Sequence, residues 1–509
     1  MATNPNETII SKFDEICHSL IEAAVNSAPG TGAFEMEKFT FRALLEIGLA
    51  VMQAYFAAQA AHYRQSEATG PNGQRMRYCG ERSGRYYSIY GNIDFQRSYY
   101  CGGGEGLYAM DAGLNLPPSG QSDYGRMLVE EMANDMSFEK ATTFLAKLFR
   151  THPSTRAVQE AILTDSQDAE EFYDQVLAPS SCEEATILAV EADNKGVPMV
   201  KSALAAPPAG EPSPGKTKGE RQREGKTKEA TVVSVSTHIP FIRTPKQVRD
   251  NLFRDRASTE KVYTDNREKP VFKRTWATMN GKKAALRQAN TWAEQVKNPG
   301  ILYLIMLTDG GEALQRCADE QFPNYVRILD LIHAIQYLWK AADAQFGKGS
   351  KDARNWVYDA VLRMLQGETC QIIAEFDDWL QKIPDQNHAK WGTIERSANY
   401  IEKNLQSMKY NEYLENGWPI ATGIIEGACR HIIKDRCEQS GMRWTMKGVE
   451  GFLHLRCIHQ NGDWDKYHDF RISRRQERVY GISAGQNHTC LDVEALRFEG
   501  GKKLYADAI

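Results

Sequence analysis

The chain has 509 residues, with 62 Lys and Arg against 66 Asp and Glu and a net charge of −4. That length exceeds what one hydrophobic core sustains and predicts about three or four domains. The near-neutral balance excludes a uniformly basic nucleic-acid binder, and 42% apolar with 25% charged residues excludes a disordered or fibrous chain. No uninterrupted apolar run approaches the ~20 residues of a membrane span. MATNPNETIISKFDE lacks a basic segment followed by an apolar one. With ten cysteines in no paired framework, a reducing cytoplasm and no membrane partner are expected.

In chain order, residues 8–27 carry Ile9, Phe13, Ile16, Leu20 and Ala24 at helical period, and a second apolar helix spans about Phe34 to Ala61. These form an N-terminal helical region, 1–66, that reads as a packing or partner-binding unit. Residues 67–125 turn rich in Gly, Tyr and Arg. RYYSIYGNIDFQRSYY predicts two strands joined at Tyr-Gly-Asn, flanked by Cys79 and Cys101. A zinc site needs four ligands in close pairs, so two separate cysteines predict ordinary thiols in a small β module. Residues 126–180 are helical again. Ser154 is a good N-cap after the break Thr151-His152-Pro153, which gives the outline of a helix-turn-helix DNA reader.

The centre is α/β. Strands are expected at Thr186 to Asp193, antiparallel at Val197 to Ala203, along ATVVSVSTHI, at Ile301 to Thr308 and at Asn324 to Leu329. The stretch Ala205 to Glu229 has too few apolar groups to pack and reads as a mobile loop. A helix is expected at Gly281 to Val296. From Leu331 to about Met408 the pattern is helical throughout, an all-helical insertion (334–415) between two parts (181–333 and 416–460) of one mixed-sheet domain. Beyond Asp463 the chain turns polar, in a C-terminal tail over 461–509 whose last thirty residues read as loosely structured.

Three carboxylates stand out in this frame. Asp193 closes ATILAVEAD, Asp309 closes ILYLIMLTD, and Glu426 sits in the predicted helix TGIIEGACRHIIKDR. A carboxylate at the exit of an apolar strand costs desolvation free energy unless something compensates it. Acids converging from distant positions are a usual way to hold divalent cations through oxygen, and the set suits a two-metal phosphoryl-transfer site. Their spacings are nearly equal, 309 − 193 = 116 and 426 − 309 = 117. Basic segments accompany them: 13 Lys/Arg against 5 Asp/Glu over 241–290, and 11 against 7 from Arg430 to Arg478. That distribution fits a polyanionic substrate.

The order of elements (strand with Asp, antiparallel strands, helix, strand with Asp, strand, helix with Glu) is that of an RNase H-like fold. The chain resembles the bacterial insertion-sequence DDE transposases of the Kra type, in the Mutator-like superfamily. The residues that carry this are ADNKGVPM, LTDGGEAL, ILDLIHAIQYLW, GWPIATGIIEGACRHIIKDRCEQSGMRW and NGDWDKY, over about residues 70 to 470. Two departures stand out: Asn194 where the family usually has Gly, and a β module with only Cys79 and Cys101 where relatives carry paired cysteines.

The resemblance implies that Asp193, Asp309 and Glu426 hold two Mg2+ (or Mn2+) ions for DNA cleavage and strand transfer with no covalent protein–DNA intermediate. Partners would be double-stranded DNA, both terminal inverted repeats and target, and a homodimer or higher oligomer. His333, in the Asp-x-x-His element, is expected near the site. Arg430 and Lys434, at i+4 and i+8 from Glu426, are expected on its helix face, with Arg436 and Arg443 extending the grip on phosphates and Trp444 stacking on an unpaired base. Two alternatives are a domesticated DNA-binding protein without catalysis and an RNase H-like metal-dependent nuclease.

Overall fold

RYYSIYGNIDFQRSYY folds as a hairpin because alternate side chains of its second strand are buried and the rest are not. A computed structural model describes residues 5–70, 73–150, 153–175, 185–200, 227–254, 269–383 and 389–482. The chain divides into two compact units. Unit 1 is Met1–Leu128, Thr142–Pro153 and His468–Ile509, and unit 2 is Val129–Ala141 and Ser154–Tyr467.

Unit 1 holds helices α1 (Pro5–Val25) and α2 (Ala33–His62). Its antiparallel sheet runs β1 (Glu67–Thr69), β2 (Arg75–Ser88), β3 (Gly91–Gly102), β4 (Glu105–Leu107). The β2–β3 turn is Ile89–Tyr90. It is held by Ser88 Oγ donating to the Gly91 carbonyl at 2.9 Å, and Gly91 takes φ 144°, a conformation open to glycine. Phe56 of α2 packs its ring 4.8 Å from that of Phe95, over Ile93 and Met110. Cys79 and Cys101 come together across β2 and β3, and their hydrogen bond, with burial, raises the Cys101 thiol.

Among the described residues one helix, α2, is long and apolar enough to cross a membrane, by length and composition alone. Single charges interrupt its sequence, which hid this from a search for uninterrupted runs. Trp464–Tyr480 is a helix, and within unit 1 its Arg475 and Arg471 reach Asp123 Oδ1 at 2.7 and 3.2 Å. Burial opposes the charge on Asp123, and these guanidiniums outweigh it, so its carboxyl lies below the usual range. Residues 483–509 lie outside the described residues.

Unit 2 is built on a five-stranded mixed sheet of β5 (Ile187–Pro198), β6 (Thr227–His238), β7 (Phe272–Thr278), β8 (Tyr303–Thr308) and β9 (Val326–Leu329), in the order β7-β6-β5-β8-β9. β5, β6 and β7 are antiparallel, whereas β5, β8 and β9 are parallel. Of the expected strand at Val197 to Ala203, Val197 and Pro198 are instead the end of β5 against β6, and 201–203 lie outside the described residues. The expected loop falls mostly on 201–226, outside the described residues, while Thr227 to Glu229 begin β6.

β7 was not expected from the sequence. Its Lys273 and Arg274 obscure the alternation, yet Arg274 is 4% exposed, stacked near Tyr173 and Trp292 and paired with Asp463 at 3.3 Å. The motif Asn461-Gly-Asp is thus a staple. Asn461 accepts from the Thr275 N–H at 2.8 Å and donates to the Thr275 carbonyl and to Tyr173 Oη.

The helices Leu331–Phe346, Lys351–Leu365, Thr369–Gln381 and Ala389–Asn404 follow β9. They do not form a separate domain. Ile305, Leu307 and Ile328 of the sheet share one apolar cluster with Leu338, Val357, Phe376 and Ile401. Nor is the helix-turn-helix outline one module, because its first helix, Phe138–Leu148, is divided between the two units. In unit 2, Ser154 does cap Thr155–Asp165, accepting from the Ala157 N–H at 3.2 Å. That helix then buries Val158, Ala161 and Ile162, close against Gly451 of the helix Met446–Gln460.

Candidate metal centre

The parallel register of β5 and β8 pairs Ala192 with Thr308 and ends there, so Asp193 and Asp309 follow side by side on neighbouring strands. This is the carboxyl edge where open α/β sheets bind ligands. Asp193 is not at a strand end, because β5 continues against β6. Asn194 is accommodated in this extended backbone, and its Oδ1 accepts from Thr231 Oγ1 at 3.0 Å. Asp309 does leave the sheet. Gly310 turns the chain at φ 79°, Gly311 N–H donates to Asp309 Oδ1 at 2.9 Å, and Tyr400 Oη donates to the Asp309 carbonyl at 2.6 Å.

Glu426 lies in the short helix Gly423–Ala428, whose first turn is moored by two buried carboxylates. Glu191 Oε2 accepts from the Ile425 N–H at 2.9 Å, and Asp330 Oδ1 accepts from the Thr422 N–H at 3.0 Å. Glu191 is two residues before Asp193, on the same face of β5. It is 1% exposed and Asp330 is fully buried. Sequence reasoning missed both anchors. The available signal was a second acid inside the apolar run LAVEAD, at the spacing that shares a face.

The charges of these groups act on one another. Burial pushes the Asp193 carboxyl up, and the Asp309 charge adds to it. Burial likewise raises Glu426, with the Asp330 and Asp193 charges adding. His333 donates Nδ1–H to Asp330 Oδ2 at 2.6 Å. That bond raises His333 first, and the charges of Asp309 and Asp193 raise it further. The oxygen donors of Asp193, Asp309 and Glu426 are of the kind that hard divalent cations such as Mg2+ take. Among the described residues, however, the carboxylates of these three do not all come within 4.8 Å of one another. Cys429 Sγ, 3.5 Å from Asp193 Oδ2, is driven up by burial and remains a neutral thiol.

The predicted DNA contacts divide. Arg430, Lys434 and Arg443 are exposed. Cys429–Lys434 is a π-helix, so Lys434 no longer falls on the face that a 3.6-residue period from Glu426 assigns to it. Arg430 reaches Asp435 at 3.5 Å. Arg436 and Trp444 are corrected to interior residues. Arg436 is 1% exposed, donates Nε–H to the Ala133 carbonyl at 2.8 Å and lies over Phe138, Trp444 and Phe452. Burial pulls its guanidinium down to about 10. The Trp444 ring stacks 5.0 Å from Phe452, and its Nε1–H donates to the Cys437 carbonyl at 3.1 Å. No face is free for a base. Part of the basic excess over 241–290 is also internal, since Arg249 and Arg274 are buried.

Among the described residues the one group of such side chains whose ligand atoms all lie within 4.8 Å of one another is Glu170, Glu450 and His454. The Glu450 oxygens are already engaged by Thr278 Oγ1, the Met279 N–H, Asn280 Nδ2 and His454, which accounts for the carboxylate without a cation. Comparison with protein families and with curated protein sequences found no match for the chain.

Proposed function

We propose that this chain is a DDE-type transposase that binds the ends of a mobile element and catalyses metal-dependent DNA cleavage and strand transfer. One observation carries the reading: Asp193 and Asp309 emerge side by side at the parallel edge of the sheet, and the helix of Glu426 is moored to the same strand by Glu191. The sheet order, with its antiparallel half and its parallel half, supports the RNase H-like assignment. The motif resemblance over residues 70 to 470 supports the reaction class.

In this reading Asp193, Asp309 and Glu426 hold the two cations, Mg2+ or Mn2+. When bound, these would supply activation of water or a DNA 3′-hydroxyl and charge stabilisation at the leaving 3′-oxygen. His333, with Nδ1 fixed by Asp330, holds a proton at Nε2 and presents it to a phosphate oxygen of the scissile strand. Arg430, Lys434 and Arg443 neutralise flanking phosphates. Glu191 and Asp330 position the helix of Glu426. Double-stranded DNA, as terminal repeats and target, is the partner, and a homodimer or higher oligomer brings two ends together.

The test uses the full chain with DNA carrying the flanking repeats of its own gene. Mg2+-dependent nicking that Asp309→Ala abolishes, followed by joining of the cleaved end to a target duplex, supports the reading. Binding without nicking supports a non-catalytic DNA-binding protein, and nicking without joining supports a nuclease of the same fold.

A further inference from the structure

Cys79 and Cys101 stand on different strands, yet the β2–β3 ladder sets them together. Cys101 pairs with Arg77, and Cys79 lies two residues on from Arg77. The pairing slips between Tyr78 and Glu81 and skips Cys79 and Gly80, and Gly80 at φ 110° turns the strand there. This bulge carries the Cys79 thiol to that of Cys101, and the two share a hydrogen bond. Cys79 is exposed and Cys101 half-buried, whereas Cys317, Cys429, Cys437 and Cys457 are buried. The Arg82 charge also acts on Cys101, and accessible thiols beside a cation are where cysteine chemistry occurs. Among the described residues the two sulfurs belong to no set of three or more His, Cys, Asp or Glu ligand atoms within 4.8 Å of one another. That leaves them a dithiol without the further ligands a structural zinc ion takes.

We propose that Cys79 and Cys101 form a reversible disulfide, a modification site that takes hydrogen peroxide as its oxidant. Cys79 reacts first because it is the exposed sulfur. Its thiolate attacks a peroxide oxygen, the O–O bond breaks, and the released hydroxide leaves as water with the thiol proton. The Cys101 sulfur then attacks the sulfenic acid of Cys79. The S–S bond forms, the S–O bond breaks, and a second water carries off the Cys101 proton. Two thiols lose two electrons and two protons, and the peroxide becomes two waters. Cys101 also pairs with Gly106 of β4, while Arg77 pairs with Glu67 of β1. The bond therefore closes a row that crosses all four strands, at the end of the hairpin away from its turn, and holds the bulge in place. In a reducing compartment the pair rests as thiols, and disulfides formed there are transient and redox-sensing.

This proposal concerns the β module and does not depend on the transposase reading. The full chain is reduced, treated with hydrogen peroxide, digested without reductant and mapped by mass spectrometry. The expected product is a pair of peptides linked through Cys79 and Cys101, lighter by two hydrogens than the free peptides and split by dithiothreitol. Phenylarsine oxide reads proximity separately: its arsenic exchanges oxygen for both sulfurs, releases water and shields both cysteines from iodoacetamide. In Cys101→Ser that shielding is expected to be lost, and peroxide should leave Cys79 as a sulfenic acid that dimedone traps. Amide exchange over β2 and β3 is expected to slow in the linked form. Peroxide that oxidises the two sulfurs separately in the wild type, or links either to another cysteine, overturns the proposal without recourse to any variant. Unchanged amide exchange in the linked form overturns the restraint on the sheet.

Discussion

Asp330 and His333 are joined at 2.6 Å at the start of the helix Leu331–Phe346, and the same carboxylate caps that helix and holds the Thr422 N–H. Burial opposes the charge on Asp330. The His333 hydrogen bond and the Thr422 N–H outweigh it, so this carboxyl lies below its ordinary value while His333 lies above. The depressed acid contributes stability above its unfolded value, about 3.9, which is lost as pH falls through its folded value. The raised imidazole contributes fully below about 6.5, and that is lost as pH rises through its folded value. His333→Gln should therefore cost about 1–3 kcal/mol between about pH 4 and 6.5, with the difference shrinking on either side. Urea titrations across pH decide it, and a pH-independent difference would contradict the pairing.

Asp193 is raised by burial and by Asp309, so its charge works against folding above the unfolded carboxyl value, increasingly as pH climbs through the folded one. Asp193→Asn should thus stabilise the metal-free protein at pH 7 by on the order of 1 kcal/mol. Added Mg2+ should raise the Tm of the wild type but not of the variant. Differential scanning calorimetry with and without Mg2+ reads both effects, and a variant that melts lower in metal-free buffer would sink this account.

Glu191 acts through the helix it moors. Glu191→Ala should lower cleavage by about 10- to 100-fold, as loss of groups that orient ligands does, with DNA affinity preserved. Glu191→Gln keeps an oxygen for the Ile425 N–H and should restore a good part of the rate. If the Gln variant is as slow as the Ala variant, orientation is not its role.

Arg436 and Arg443 should behave oppositely. Arg436→Ala empties an aromatic cage and orphans the Ala133 carbonyl, for about 3–5 kcal/mol lost. Arg443→Ala should stay within about 0.5 kcal/mol in stability but lower the salt slope of DNA binding by about one unit. Chemical denaturation and salt titration of both variants distinguish them, and equal stability of the two would refute the burial assignment.

For the exposed cations Arg430 and Lys434, the double Ala variant should reduce the salt slope by about two units across sequences. The Arg430–Asp435 contact is a surface pair worth about 0–1 kcal/mol, so it does not compete with a phosphate. An unchanged slope would move the DNA path away from the helix of Glu426.

Much of unit 2 was legible in the chain because strands and helices write their period into it. ILAVEAD and ATVVSVSTH read as buried strands, YLIMLT as another, and the acids that follow the parallel blocks mark their common edge. Local chemistry also placed Ser154 as a cap and the hairpin turn near Tyr90. What the sequence could not determine is what each polar residue faces. Arg436 is buried by Phe138 and Ala133, about three hundred residues earlier in the chain, and Arg274 by Tyr173 and Asp463. An arginine reads the same whether it meets water or a ring. The π-turn after Ala428 rotates Lys434 off the expected face, and Glu191 and Asp330 become anchors only once the helix of Glu426 lies against the sheet. Period and propensity are properties of neighbours in sequence. Burial, pairing and charge coupling are properties of neighbours in space, and only the tertiary structure decides those.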